Sequence, residues 1–112
     1  MHPLLQQKTH ILERNAVCEL IDRLARNLVN IEDKTGEFLL RLDDGRVIDT
    51  KGWNGWEWTH GVALYALFEH HDLTSSRTSL AIIHDWFAAR RKEGGTTRNI
   101  NTMAALLSLA CV

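Results

Sequence analysis

A chain of 112 residues is one domain at most, and 45% hydrophobic with 24% charged residues is the make-up of a soluble globular protein. A formal net charge of -1 gives bulk electrostatics no hold on nucleic acid or an anionic membrane. Two distant cysteines without a CxxC, Cys18 and Cys111, indicate neither a zinc site nor a disulfide framework; no basic, apolar leader opens the sequence, so a cytoplasmic protein is expected.

From Pro3, which is tolerated in a first helical turn, to about Asn30 the pattern is helical. Val17, Leu20, Ile21, Leu24, Leu28 and Ile31 share one stripe, and Glu13, Arg14, Glu19, Asp22, Arg23 and Arg26 lie opposite. Residues 32–58 break that period. Phe38, Leu40 and Leu42 alternate with Leu39, Arg41 and Asp43, and Asp44-Gly45 turns the chain into Arg46-Val47-Ile48, which predicts a short hairpin. Connections this long inside a helical domain are often functional.

The connection ends in Gly52-Trp53-Asn54-Gly55-Trp56-Glu57-Trp58-Thr59-His60-Gly61. Three of the four tryptophans and three of the seven glycines stand here. Indoles beside polar groups at the mouth of a helix suit a concave ligand surface, since flat rings stack on sugars or bases while amides and imidazoles orient them. Any one tryptophan is more often core than ligand platform. Trp56 and Trp58, two apart, would share one side of an extended approach. Trp53 is free to cover the hairpin instead. His60, at the helix start, is placed to donate to an anionic ligand.

Thr59 is the expected cap of the second helix, which runs to about His71. Its segment 62–68 has no polar face, and a helix apolar all round is buried all round. Residues 72–76 turn, Ser75 or Ser76 caps a third helix carrying Leu80, Ile83, Trp86 and Phe87, and Arg90-Arg91-Lys92 suits its C-terminus before Gly94-Gly95. Asn101 or Thr102 then caps a fourth, almost wholly apolar helix from Met103 onward. For both residues capping is the first expectation and sugar contact the addition.

The order is half-wet, buried, half-wet, buried, with the two buried helices starting 43 residues apart at Thr59 and Thr102. An outer ring around an inner ring, as in an α/α toroid, fits this alternation; a helical solenoid is the alternative. Four helices leave the inner pair without a neighbour on its far flank. Self-association through 62–68 and 103–112 is therefore expected. The apolar ending, with no capping Gly or Asn and no polar tail, reads as the amino-terminal part of a longer chain.

Other chemistry has little support. His70-His71-Asp72 are consecutive on a helix, where side chains diverge, so no metal is expected. No Walker loop, GxGxxG or Ser/His/Asp motif appears.

Two segments resemble the unsaturated rhamnogalacturonyl hydrolases, glycoside hydrolase family 105, related to the unsaturated glucuronyl hydrolases of family 88. They are Gly55-Trp56-Glu57-Trp58-Thr59-His60-Gly61-Val62-Ala63-Leu64-Tyr65-Ala66-Leu67 and Asn99-Ile100-Asn101-Thr102-Met103-Ala104-Ala105-Leu106-Leu107-Ser108-Leu109-Ala110. The resemblance covers roughly residues 50–112. It implies an all-α fold, the first third of an (α/α)6 barrel, with about four helices in the order outer, inner, outer, inner and a hairpin or loop between the first two. It further implies removal of an unsaturated uronic acid from pectin-derived oligosaccharides by hydration of the C4=C5 bond, an aspartate giving the proton and activating water, with no cofactor. That aspartate lies on a later inner helix. Asp85-Trp86, in mid-helix, does not match its motif, and Ala105 stands where the family commonly has proline.

The expectation is thus a substrate-binding wall of Trp56, Trp58, His60, Asn101 and Thr102, no catalytic residue, and a chain inactive alone. A helical-repeat module binding a peptide or protein is the alternative reading.

Overall fold

The computed structural model describes residues 13–94 and 99–112. The all-α reading with an inserted hairpin stands, as part of a helical barrel. The first helix, α1, is Arg14–Val29, and the expected start near Pro3 lies outside the described residues. Its apolar stripe is only partly used. Ala25 is buried and Leu28 and Val29 pack on the core, while Val17, Leu20 and Leu24 stay exposed.

After α1 the chain wraps round one carboxylate. Asp33 accepts from the backbone N–H groups of Thr35, Gly36 and Phe38 at 3.2, 3.0 and 2.8 Å and from the Thr35 hydroxyl at 3.1 Å. Desolvation works against its charged form, but these donors, the Phe38 N–H foremost, hold Asp33 below the ordinary carboxylate value. The hairpin follows: β1, Leu39–Arg41, pairs antiparallel with β2, Val47–Asp49, with Leu40 opposite Ile48. Gly45 takes the left-handed conformation its turn requires (φ +86) and donates to the Leu42 carbonyl at 3.0 Å.

Helix α2 runs Trp58–Thr74, one turn beyond the expected end at His71. Its cap is Glu57, not Thr59. Glu57 has an extended backbone and closes a capping box with His60, so Thr59 falls inside the first turn, exposed. Ser75, left-handed at φ 57, ends α2, and Ser76 caps α3, Arg77–Lys92, accepting from the Ser79 N–H at 3.3 Å. The fourth helix reads as α4, Ile100–Met103, and α5, Leu106–Cys111, with Ala104 keeping helical angles between them. Asn99 caps it rather than Asn101 or Thr102: its side chain accepts from both their N–H groups, at 3.0 and 3.1 Å.

The core is Leu64 and Leu67 of α2, Ile83 and Trp86 of α3, Ala25, Trp53 and Ala105. α2 lies against α3 on one flank and α4–α5 on another. A Cβ on Gly61 would stand 2.6 Å from the Ala104 carbonyl carbon, so the two inner helices touch backbone to backbone there. The expectation that 62–68 is buried all round does not hold. Gly61, Leu64, Leu67 and His70 form the buried stripe, while Val62 and Tyr65 are exposed, because α1 stands off α2 and leaves a groove of about 1140 Å³ between them.

Candidate functional site

The tryptophan segment is shaped before it reaches α2. Asp49 accepts from the Lys51 and Gly52 N–H groups at 2.9 and 2.7 Å, folding the chain back on itself. A Cβ on Gly55 would lie 2.1 Å from the Asp49 carbonyl oxygen, which only glycine escapes. Trp53 donates its N–H to the Ile31 carbonyl at 3.0 Å, fastening the segment to the end of α1.

The organising side chain is Trp86 of α3. Around it stand Trp56 (ring centres 5.2 Å apart), His60 (5.9 Å, stacked), Trp53 (6.3 Å) and Phe87 (5.0 Å, edge-on). Its indole N–H donates to the Trp53 carbonyl at 2.9 Å. The sequence pattern placed Trp86 in the core without revealing that it joins the loop; a tryptophan on an amphipathic stripe carries no sign of the distant segment it meets.

The five expected substrate-facing residues divide. Trp58, first residue of α2, is 53% exposed, and Asn101 on α4 is exposed. Trp56 is half-buried on Trp86 and donates its indole N–H to the Thr102 carbonyl, tying the segment to α4. Thr102 is buried and shares the Asn99 capping box. Glu57, between Trp56 and Trp58, has the extended backbone of the approach, and α2 begins at Trp58.

His60 is 4% exposed. Its Nδ1 accepts from the Glu57 N–H at 3.0 Å, which leaves Nε2 as the protonated nitrogen, donating to the Gly52 carbonyl at 2.8 Å. Both nitrogens are thus engaged in holding the loop, and the ring fixes the mouth of α2. Trp53 is buried beside it, and with His60, Thr59 and Lys51 it lines a cleft of about 210 Å³.

A buried cation stands next to this aromatic cluster. Arg90, one turn beyond Trp86, lies over its ring and pairs with Glu93 at 2.8 Å, while its Nε and Nη1 are buried without hydrogen-bond partners among the described residues. No sequence signal separated it from the neighbouring Arg91 and Lys92. His70 and His71 turn to Ser79 and to the Ser76 carbonyl, each at 2.9 Å. Among the described residues no three His, Cys, Asp or Glu side chains form a group able to hold a metal, and no helix is long and apolar enough to cross a membrane.

Comparison with known proteins bears on this site directly. The model of Glycosyl Hydrolase Family 88 matches residues 30–112, which takes in the hairpin, the tryptophan segment and every helix after α1. A crystal structure of "a possible member of GH105 family" from Salmonella enterica is similar at 59% identity and a TM-score of 0.87. That match covers 96% of this chain and 29% of the Salmonella one. A second possible GH105 member, from Klebsiella pneumoniae, is 55% identical with a TM-score of 0.86, over 96% of this chain and 28% of its own. The chain therefore spans less than a third of the length of these relatives. No curated protein matches.

Proposed function

The chain belongs to Glycosyl Hydrolase Family 88, and on that premise we propose that it forms part of the sugar-binding wall of an unsaturated uronyl hydrolase acting on pectin-derived, rhamnogalacturonan-type oligosaccharides. One observation carries the reading. Trp58 presents a half-exposed indole at the first turn of α2, on a rim held to α4 by the Trp56–Thr102 bond, with exposed Asn101 next to that anchor. An indole face takes the apolar side of a sugar ring, and an amide takes its hydroxyls. His60, Trp56 and Thr102 belong to the same wall as the residues that position it.

The chemistry of the reading is hydration of a C4=C5 double bond. A carboxylic acid protonates the alkene, water adds across it, and the adduct opens to release the uronic acid. Near the rim, Asp49 receives two backbone N–H groups and Glu57 caps α2, so neither is placed as that acid. The proton donor is assigned to a group outside these 112 residues, and the isolated chain does not turn over.

The test uses an unsaturated rhamnogalacturonan disaccharide. Titrated into the chain, it is expected to shift the Trp58 indole N–H resonance and leave that of buried Trp53 in place, with binding lost in Trp58→Ala. Loss of the alkene's ultraviolet absorbance with the isolated chain would sink the claim that the acid lies elsewhere. Shifts unchanged at saturating disaccharide would sink the wall itself.

A further inference from the structure

We infer, on the sugar-wall reading, that Arg90 is a positioning residue: its guanidinium, held over Trp86, fixes the pose of Trp56 and with it the rim that carries Trp58 and Asn101. Arg90 stands four residues after Trp86 on α3, so the two side chains are neighbours on one helix face. Its Cζ lies 5.8 Å from the centre of the Trp86 ring, and its Nη2 meets the Glu93 carboxylate at 2.8 Å. Arg90 is buried, whereas the Glu93 side chain is 58% exposed. The neighbouring Arg91 and Lys92 both face solvent.

Stability does not account for a cation at this depth. Burying a guanidinium costs free energy that an apolar side chain of the same length avoids, and a largely solvated carboxylate offsets little of that cost. What the guanidinium adds is direction. A cation over an indole face is attracted by the ring's quadrupole, more strongly when it is desolvated. The face it holds belongs to the ring on which the site converges. Trp86 packs on Trp56 with ring centres 5.2 Å apart and stacks on His60 at 5.9 Å. Its indole N–H donates to the Trp53 carbonyl at 2.9 Å, a bond that the positive charge strengthens by drawing electron density from the ring. Trp56 in turn donates to the carbonyl of Thr102, the residue after Asn101, and stands two before Trp58. A connected path therefore runs from Arg90 through two indoles to both exposed groups of the wall.

The four indole N–H resonances of the intact chain, and its affinity for the unsaturated rhamnogalacturonan disaccharide, decide this. Arg90→Met keeps the stem and removes the cation. With its helices intact by far-ultraviolet circular dichroism, it is expected to displace the Trp86 and Trp56 resonances and to weaken disaccharide binding about tenfold. Ser79→Ala is the control for general loosening. It breaks the buried bond to His70 two turns before Trp86 on the same helix, and should leave the two resonances and the affinity as in the wild type. Should Arg90→Met lose its helices, Glu93→Gln takes its place; that side chain is exposed, and the change should move the same two resonances less far and weaken binding about twofold. Unmoved resonances or an unchanged affinity in the folded variant would overturn the role, and so would equal losses in Ser79→Ala. Failure of the wall itself looks different. A wild-type chain whose Trp58 resonance ignores the disaccharide overturns wall and role together, whereas a chain that binds it equally well without the guanidinium overturns the role of Arg90 alone.

Discussion

The histidine at position 60 shows how one residue can look like a ligand group and act as a fastener. Its two ring nitrogens hold the Glu57 N–H and the Gly52 carbonyl in a buried setting. Replacing it by alanine strands both backbone groups, and each stranded group costs about 1–3 kcal/mol. His60→Ala is expected to lose about 2–6 kcal/mol, read as a lower urea midpoint with an unchanged slope. Trp58→Ala, two residues away but exposed, should change stability by no more than about 0.5 kcal/mol. A large loss there would make the indole a structural part and remove it from the sugar wall. Asp33 gives a pH signature at the same scale. Its folded value is depressed, so its stabilisation is complete above the unfolded 3.8 and is lost as pH falls through the lower folded value. Protection of the Gly36 and Phe38 amides, relative to their intrinsic exchange rates, should hold at pH 5 and fall only below about pH 3.8; protection already lost above 3.8 would contradict the bonding described.

Among the elements, the contact between α2 and α4 offers the sharpest prediction. Alanine in place of a helical glycine gains roughly 0.8–1 kcal/mol of helix propensity. At Gly61 the added Cβ meets the Ala104 carbonyl carbon at 2.6 Å and the Ala105 nitrogen at 2.8 Å, both backbone atoms that cannot swing aside. Overpacking of that kind costs about 1–3 kcal/mol, so Gly61→Ala should lower the thermal midpoint despite the better helix former. A raised midpoint would mean that the helices separate freely. Much at this scale was legible in the sequence. Asp44-Gly45 announced the hairpin, the Ser75-Ser76 pair announced α3, and Leu80, Ile83, Trp86 and Phe87 marked the apolar stripe of that helix, of which Ile83 and Trp86 are buried. The caps were less legible. Thr59 is the better cap by type, yet the helix starts a turn boundary earlier, because a histidine at the third helical position returns the bond to Glu57. Asn99 likewise outranks Thr102 only because Thr102 serves as its partner. Which residue of a polar cluster becomes the cap is decided by where the loop is tied, and the ties of this loop run to Ile31, Trp86 and Thr102, far along the chain.

At the scale of the molecule, the sequence periodicity correctly marked inner and outer helices but overstated how much of them one copy can bury. Among the described residues, α1 is held firmly near its end, where Ala25 is buried and the Ile31 carbonyl takes the Trp53 backbone N–H. Its earlier turns, with Val17, Cys18 and Ile21, border the open groove. Regions with few buried apolar contacts open locally at far lower free energy than a packed core. α3, with Ile83 and Trp86 buried, belongs to the opposite extreme. Amides in the first half of α1 should therefore exchange at least about tenfold faster than those around Ile83. Equal protection of α1 and α3 would show that α1 is anchored by contacts other than those near its end, and the groove beside it would then be as rigid as the core.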